Sequence, residues 1–286
     1  MLSQSTTYIL NISCVDQKGI VAAEANNISA QDCNIVESGQ HFDPKTGMFF
    51  MRVAFAPPQS LSVESFKSGF KPVASAYDFN WDVFDSKART RVMIMVSKLG
   101  HCLNDLLYRA SIGSLPMDLV CVVSNHETWK KRVEDDGIPF HHLPITKDTK
   151  AEQEAKLLEL VDQYDVELVI LARYMQILSD DLSKKLMGRV INIHHSFLPS
   201  FKGAKPYHQA HERGVKLIGA TAHYVTADLD EGPIIEQDVK SVNHKYSADE
   251  FVAMGCDVES RVLARAVKAH LEHRILLNSD RTVVFE

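Results

Sequence analysis

The chain has 286 residues, 45% hydrophobic and 24% charged, with a formal net charge of -6. That length suits one large domain or two smaller ones with a sizeable core, and the acidic balance gives neither a nucleic acid nor an anionic membrane an electrostatic reason to bind. A small-molecule substrate is the expectation. No uninterrupted apolar run reaches the roughly 18 residues a bilayer span needs, and the opening residues lack a basic segment, which points to the cytoplasm. Cys14, Cys33, Cys102, Cys121 and Cys256 are scattered and form no CxxC pair, as reduced thiols would be.

Residues 6 to 84 alternate between hydrophobic periods in the order strand, helix, strand, strand, helix, strand, a ferredoxin-like α+β order. Thr7 to Ile12 is β-branched and apolar, and the turn Val15-Asp-Gln-Lys-Gly-Ile20 leads into a helix through Ala30. Asn34 to His41 and Met48 to Ala56 read as hairpin partners across Asp43 to Gly47. Ser60 offers an N-cap to an amphipathic helix from Leu61 to Ala76, and Phe79 to Phe84 closes the unit. The polar stretch from Asp85 to Thr90 reads as a linker, which divides the chain into 1–85, a linker at 86–90, and 91–286.

Beyond it the pattern changes to near-continuous apolar runs, Val92 to Val96, Leu119 to Ser124, Leu168 to Leu171 and Val190 to Ile193, separated by helical spacing at Leu103 to Ala110, Lys150 to Tyr164 and Ser179 to Met187. Strands buried on both faces read this way, which predicts a Rossmann-like, mostly parallel sheet covered by helices, with ligands at the carboxyl ends of its strands. Ile218 to Val225 and Ile234 to Val239 predict an antiparallel extension. A long helix from Ala248 to Leu277 and an edge strand from Thr282 to Phe285 follow.

The chemistry concentrates at Val190-Ile-Asn-Ile-His194, where an apolar strand runs out. Asn192 and His194 share one face of an extended segment, so an amide and an imidazole can meet one ligand atom such as a developing oxyanion. Asp228 and Asp230 lie at the end of a second apolar run before Gly232-Pro233, and one of them could pair with His194 and orient it. No G-x-S-x-G elbow accompanies Ser196, so a covalent mechanism is not expected. His194, His195, His101, His141 and His142 predict no metal site, since adjacent strand histidines point to opposite faces and no i, i+4 pair has a third ligand.

Asn192-Ile-His194, Leu198-Pro-Ser-Phe-Lys-Gly203 and Asp228-Leu-Asp-Glu-Gly-Pro-Ile-Ile235, in that order, resemble the formyl-transferase fold that uses 10-formyltetrahydrofolate, over about Arg91 to Glu286. Within it the chain is similar to the formyltetrahydrofolate deformylases. His195 stands where amine-formylating relatives usually have proline, and Ser97-Lys-Leu-Gly-His-Cys-Leu-Asn104 lacks the glycine-rich phosphate loop of the glycinamide ribonucleotide transformylases. Lys205-Pro-Tyr-His-Gln-Ala210 with Gly214 to Gly219 is typical of deformylases, and the amino-terminal module resembles a regulatory ACT domain. Cys256, in Gly255-Cys-Asp-Val-Glu259, stands where deformylases commonly show arginine.

The resemblance implies hydrolysis of 10-formyltetrahydrofolate to formate and tetrahydrofolate, supplying formate for purine synthesis and balancing the one-carbon pool, with no prosthetic group. It implies that Asn192 donates to the formyl oxygen, that His194 stabilises that oxyanion or moves the proton, and that Asp230 holds His194 and the attacking water. Met175, Gln176, Ile177, Leu178 and His223 would bind the folate, and Asp16, Gly19 and Ile20 an amino-acid effector in a homodimer or homotetramer. The alternatives are a formyl transferase to an amine and a catalytically silent amino-acid sensor.

Overall fold

The computed structural model describes residues 6–146, 148–196, 206–228 and 230–286. It divides into two compact units, residues up to Arg89 together with Glu272–Glu286, and Thr90–Leu271.

The first unit is a four-stranded sheet in the order β2-β3-β1-β4, formed by β1 (Tyr8–Val15), β2 (Asn34–Asp43), β3 (Met48–Ala56) and β4 (Asn80–Asp85). Every pairing is antiparallel. Helices α1 (Ile20–Ala30) and α2 (Val63–Ala76) sit between the strands in sequence, in the expected α+β order. Leu10, Ile12 and Cys14 of β1 point one way, as period two requires, and meet Met51, Val53 and Phe55 of β3 and Phe66 and Phe70 of α2 in one core. Phe55, Phe66 and Phe70 pack in series with ring centroids 4.6 and 5.7 Å apart. The N-cap of α2 is Ser62, whose hydroxyl accepts from the Ser65 amide at 3.1 Å, two residues beyond the expected Ser60.

The second unit holds a seven-stranded sheet in the order β11-β10-β9-β8-β5-β6-β7. β5 (Thr90–Val96), β6 (Met117–Ser124), β7 (Phe140–His142), β8 (Leu168–Leu171) and β9 (Val190–His194) are parallel, and β10 (Leu217–Tyr224) with β11 (Ile234–Ser241) extends the sheet antiparallel. Val92, Met93, Ile94, Met95 and Val96 are buried, as a strand covered on both faces must be. The helices are α3 (His101–Ser111), α4 (Lys130–Asp135), α5 (Lys150–Gln163), α6 (Asp180–Lys185), α7 (Pro206–Glu212) and α8 (Ala248–Leu271). The short elements α4, β7 and α7 are too brief to carry a period and are absent from the sequence expectation. From β5 the chain runs outward through β6 to β7, then returns on the other side as β8 and β9. The crevice at the carboxyl ends of β5 and β8 is therefore the topological switch point, where ligands bind in such sheets.

The carboxyl end departs from expectation. Helix α8 stops at Leu271, not Leu277, because His273 takes a left-handed φ of 51°. The remaining residues form a separate hairpin, β12 (Ile275–Asn278) with β13 (Arg281–Val284), in place of an edge strand on the main sheet. This tail packs with the first unit, whereas the sequence pattern runs the second part to Glu286. Arg52 of β3, 6% exposed, donates to the carbonyls of Glu272 and His273 at 3.2 and 3.3 Å. Asn278 and Arg281 donate to Asp43 at 2.6 and 2.8 Å. The hydrogen bond from Asn278, followed by that from the Lys45 amide, brings the Asp43 carboxyl down to about 2.

Candidate active site at the end of the parallel strands

Antiparallel pairing of β9 with β10 sets His223 opposite Asn192 and Thr221 opposite His194. The His223 Nδ1–H donates to the carbonyl of Tyr224 at 2.9 Å, which leaves Nε2 as the acceptor for one N–H of the Asn192 amide at 3.2 Å. His223 is buried at 2% exposure, a supporting member of the site lying behind the amide.

The turn between β10 and β11 brings the carboxylate in. Asp230 holds φ at 57°, a left-handed conformation that aspartate tolerates better than most residues. A Cβ on Gly232 would lie 1.7 Å from the Tyr224 carbonyl oxygen, so only glycine lets the turn close this tightly. Asp230 Oδ1 lies 3.3 Å from His194 Nδ1 and 3.7 Å from His223 Nε2. The hydrogen bond from His194, with the His223 imidazole also close by, holds the Asp230 carboxyl well below the usual carboxylate range, against the opposing effect of burial. Asp228, the other candidate of this turn, is exposed. Leu229, the segment Leu198–Gly203 and Lys205 lie outside the described residues.

His194 engages both ring nitrogens. With Nδ1–H directed at Asp230, Nε2 accepts from the Ser196 hydroxyl at 2.9 Å, and the Ser196 carbonyl in turn accepts from Thr221 Oγ1 at 3.0 Å. The sequence weighs Ser196 only as a nucleophile; its role as a partner of the His194 ring is signalled by nothing more than the i+2 spacing. The resulting arrangement has an amide N–H free to meet a carbonyl oxygen, an imidazole beside it, and an ionised carboxylate fixing the imidazole.

A cleft is lined by the apolar Met95, Leu143, Ile145 and Leu157 and by Tyr174, by the polar Gln153 and Glu154 of α5, and, from the segment after β8, by Gln176, Ile177 and Leu178. Met175 is 56% exposed, and its backbone amide donates to Ser97 Oγ at 2.9 Å. Ser97 also donates through its hydroxyl to Asn125 Oδ1 at 2.7 Å and through its backbone N–H to the Arg173 carbonyl at 3.3 Å, so the ends of β5, β6 and β8 are tied together at the switch point. The effector candidates lie in the first unit. Asp16 is exposed, Gly19 caps α1 at a φ of 95°, and the Ile20 side chain is part of the core, so of these three only Asp16 has a side chain to offer a ligand.

A second polar cluster, unforeseen from the sequence, surrounds Glu259 of α8, which is 1% exposed. Its carboxylate accepts from Tyr207 Oη at 2.6 Å, contacts His101 Nε2 at 2.7 Å, and lies 3.3 Å from Arg173 Nε. A Cβ on Gly255 would meet the Tyr207 ring at 2.2 Å, so glycine opens the space for that tyrosine. Burial opposes a charge on His101, but its hydrogen bonds with Cys102, Cys256 and Glu259 raise its pKa to about 12. Cys256 therefore keeps a polar contact at the position where an arginine was expected. His101, Cys102 and Glu259 do bring donor atoms within 4.8 Å of one another, a ligand-type grouping the sequence did not suggest. Both carboxylate oxygens are already engaged, and a guanidinium beside them repels a cation.

His195 corrects another expectation. Its ring stacks on that of His194 at 4.9 Å and 22° instead of pointing to the opposite face, because β9 ends at His194 and the chain bends. Burial, reinforced by the Arg173 charge, brings the His195 pKa down to about 4, so this imidazole is neutral near pH 7.

Residues 90–267 match the family model described as formyl transferase. The formyltetrahydrofolate deformylase of Corynebacterium sp. (strain P-1) is 50% identical over 284 residues, covering 99% of each chain. The chain belongs to the formyltetrahydrofolate deformylase family. The crystal structure of the Burkholderia mallei deformylase matches at a TM-score of 0.94 and 52% identity over 98% of this chain and 99% of that one. The Pseudomonas syringae deformylase structure matches at 0.96 and 45%, covering 100% and 96%. Both units of this deformylase-family chain, the carboxyl-terminal hairpin included, thus fall within the span shared with its relatives.

Proposed function

We propose that the second unit hydrolyses 10-formyltetrahydrofolate through Asn192, His194 and Asp230. The observation that carries this reading is the convergence of the Asn192 amide, the His194 imidazole and the Asp230 carboxylate at the end of β9 and the β10–β11 turn. Asn192 has a second N–H for the formyl oxygen while the first stays on His223, so the oxyanion that forms when water attacks meets a donor already oriented. Asp230 remains ionised, fixes His194 through Nδ1, and stabilises the imidazolium as His194 passes a proton to the departing folate nitrogen. Gln176, Ile177 and Leu178 flank the pterin in the cleft with the Met175 backbone beside it, and His223 acts through Asn192.

The first unit is a regulatory ACT-like module, with an amino-acid effector taken at the Asp16 to Gly19 turn and a dimer or tetramer as the working form. Its operation in the cytoplasm without a prosthetic group, feeding formate to purine synthesis, completes the reading. Incubation with 10-formyltetrahydrofolate and no amine acceptor tests it. Stoichiometric release of formate and tetrahydrofolate, abolished in His194→Ala, is expected; turnover only when an amine is supplied would make the chain a transferase instead. Equilibrium ultracentrifugation showing monomer alone at micromolar concentration would remove the oligomer.

A further inference from the structure

We propose that Arg173, with His195 beside it, forms a site for the small carboxylate that the reaction releases, formate. The proposal rests on the hydrolytic reading above. Arg173 is 8% exposed; its Nε faces the Glu259 carboxylate at 3.3 Å outside hydrogen-bond geometry, and among the described residues its Nη1 has no hydrogen-bond partner. Buried guanidinium donors left without acceptors are costly and call for an explanation. The residue also keeps a left-handed φ of 63°, unusual for arginine, and its carbonyl is bonded to the Ser97 amide, so the backbone is held at the switch point.

Position makes the site relevant to the chemistry. Leu171 of β8 pairs with Asn192 of β9, so Arg173 and His194 each lie two residues past the same rung. His195 stacks on His194, and the Arg173 charge acts on His195. Contact points the same way: Arg173 and His101 both face the one carboxylate of Glu259, so the guanidinium does not have that anion to itself.

Formate matches the Arg173 guanidinium in charge and shape. In the hydrolysis a water oxygen bonds to the formyl carbon, the carbon–nitrogen bond breaks, and one water proton ends on the folate nitrogen. The other passes to solvent as formic acid ionises, leaving a planar monoanion that the N–H groups of a guanidinium recognise.

Titrating sodium formate calorimetrically into the full chain, against sodium chloride at equal ionic strength, tests the site together with product inhibition by formate. Wild type is expected to bind one formate per chain and to be inhibited by it, and Arg173→Lys to raise both constants at least tenfold, since lysine does not reproduce the guanidinium. Formate indistinguishable from chloride in wild type, or equal affinity in Arg173→Lys, would overturn the proposal. Should Arg173→Lys not fold, His195→Leu, which leaves the Arg173–Glu259 pair in place, must weaken formate, and unchanged affinity would be equally fatal. Formate binding without hydrolysis would sink the functional reading and leave the site standing; hydrolysis without formate binding would do the reverse.

Discussion

At the scale of single residues, the amide and imidazole of the site act on charge that develops only during reaction. Loss of one such donor costs on the order of a hundredfold or more in rate. Asn192→Ala and His194→Ala are therefore each expected to lower kcat by at least about that factor with melting temperatures near wild type, measured by formate release. Asp230→Asn keeps the shape of the turn and removes the charge that steadies the imidazolium, and near-normal turnover in it would refute the assigned role. Glu24 raises a separate matter. It lies between Ile20 and Ile28 on the buried face of α1, fully buried, with neither oxygen hydrogen-bonded among the described residues, and burial pushes its pKa from 4.5 up to about 7. The folded state therefore favours the protonated acid. Stability is fully present below the unfolded pKa and is lost as pH rises through 7, by up to about 3 kcal/mol at about 1.36 kcal/mol per unit. Glu24→Gln should match wild type in urea at pH 5 and exceed it at pH 8; equal midpoints at both values would show that the carboxyl is solvated.

At the scale of elements, the β10–β11 turn and the cap of α2 make opposite kinds of demand. Gly232→Ala puts a methyl against backbone at 1.7 Å, so the turn must open and carry Asp230 away from His194. A loss of activity comparable to that of Asp230→Asn is expected, and a fully active Gly232→Ala would mean that the turn is not what sets the carboxylate. Ser62→Ala removes only a cap hydrogen bond and should destabilise the first unit by about 1 kcal/mol without affecting turnover. The elements were unevenly legible. Val92 to Val96 and Leu168 to Leu171 announced buried strands because they are wholly apolar, rich in β-branched residues and too short for a buried helix. The hairpin of β12 and β13 was hidden because Ile275-Leu276-Leu277 continues the apolar spacing of α8, and the break comes from a left-handed histidine that no composition rule signals. In the site, Asn192, His194 and Asp230 stood out as polar residues closing apolar runs. Ser196, Arg173 and Glu259 did not, since their partners are set by tertiary contact; Glu259 left one trace, a carboxylate on the buried face of a long helix.

At the scale of the whole molecule, the first unit is assembled from both ends of the chain. Arg52 relies on the carbonyls of Glu272 and His273, and Asp43 on Asn278 and Arg281. A chain shortened at Leu271 removes those partners, leaving Arg52 with Glu37 and Asp43 with Lys45 and Thr46, at a cost of about 1–3 kcal/mol for each group left partly unsatisfied. Differential scanning calorimetry should show the transition of the first unit moving down in the shortened chain; a thermogram identical to that of the full chain would mean the tail is dispensable. The same arrangement has a consequence during synthesis. Residues 90–271 are complete and free to collapse as a domain while the ribosome still holds the tail, and the amino-terminal sheet, although made first, must wait for the last fifteen residues to gain its final partners. In such a chain, order of birth and order of completion are reversed.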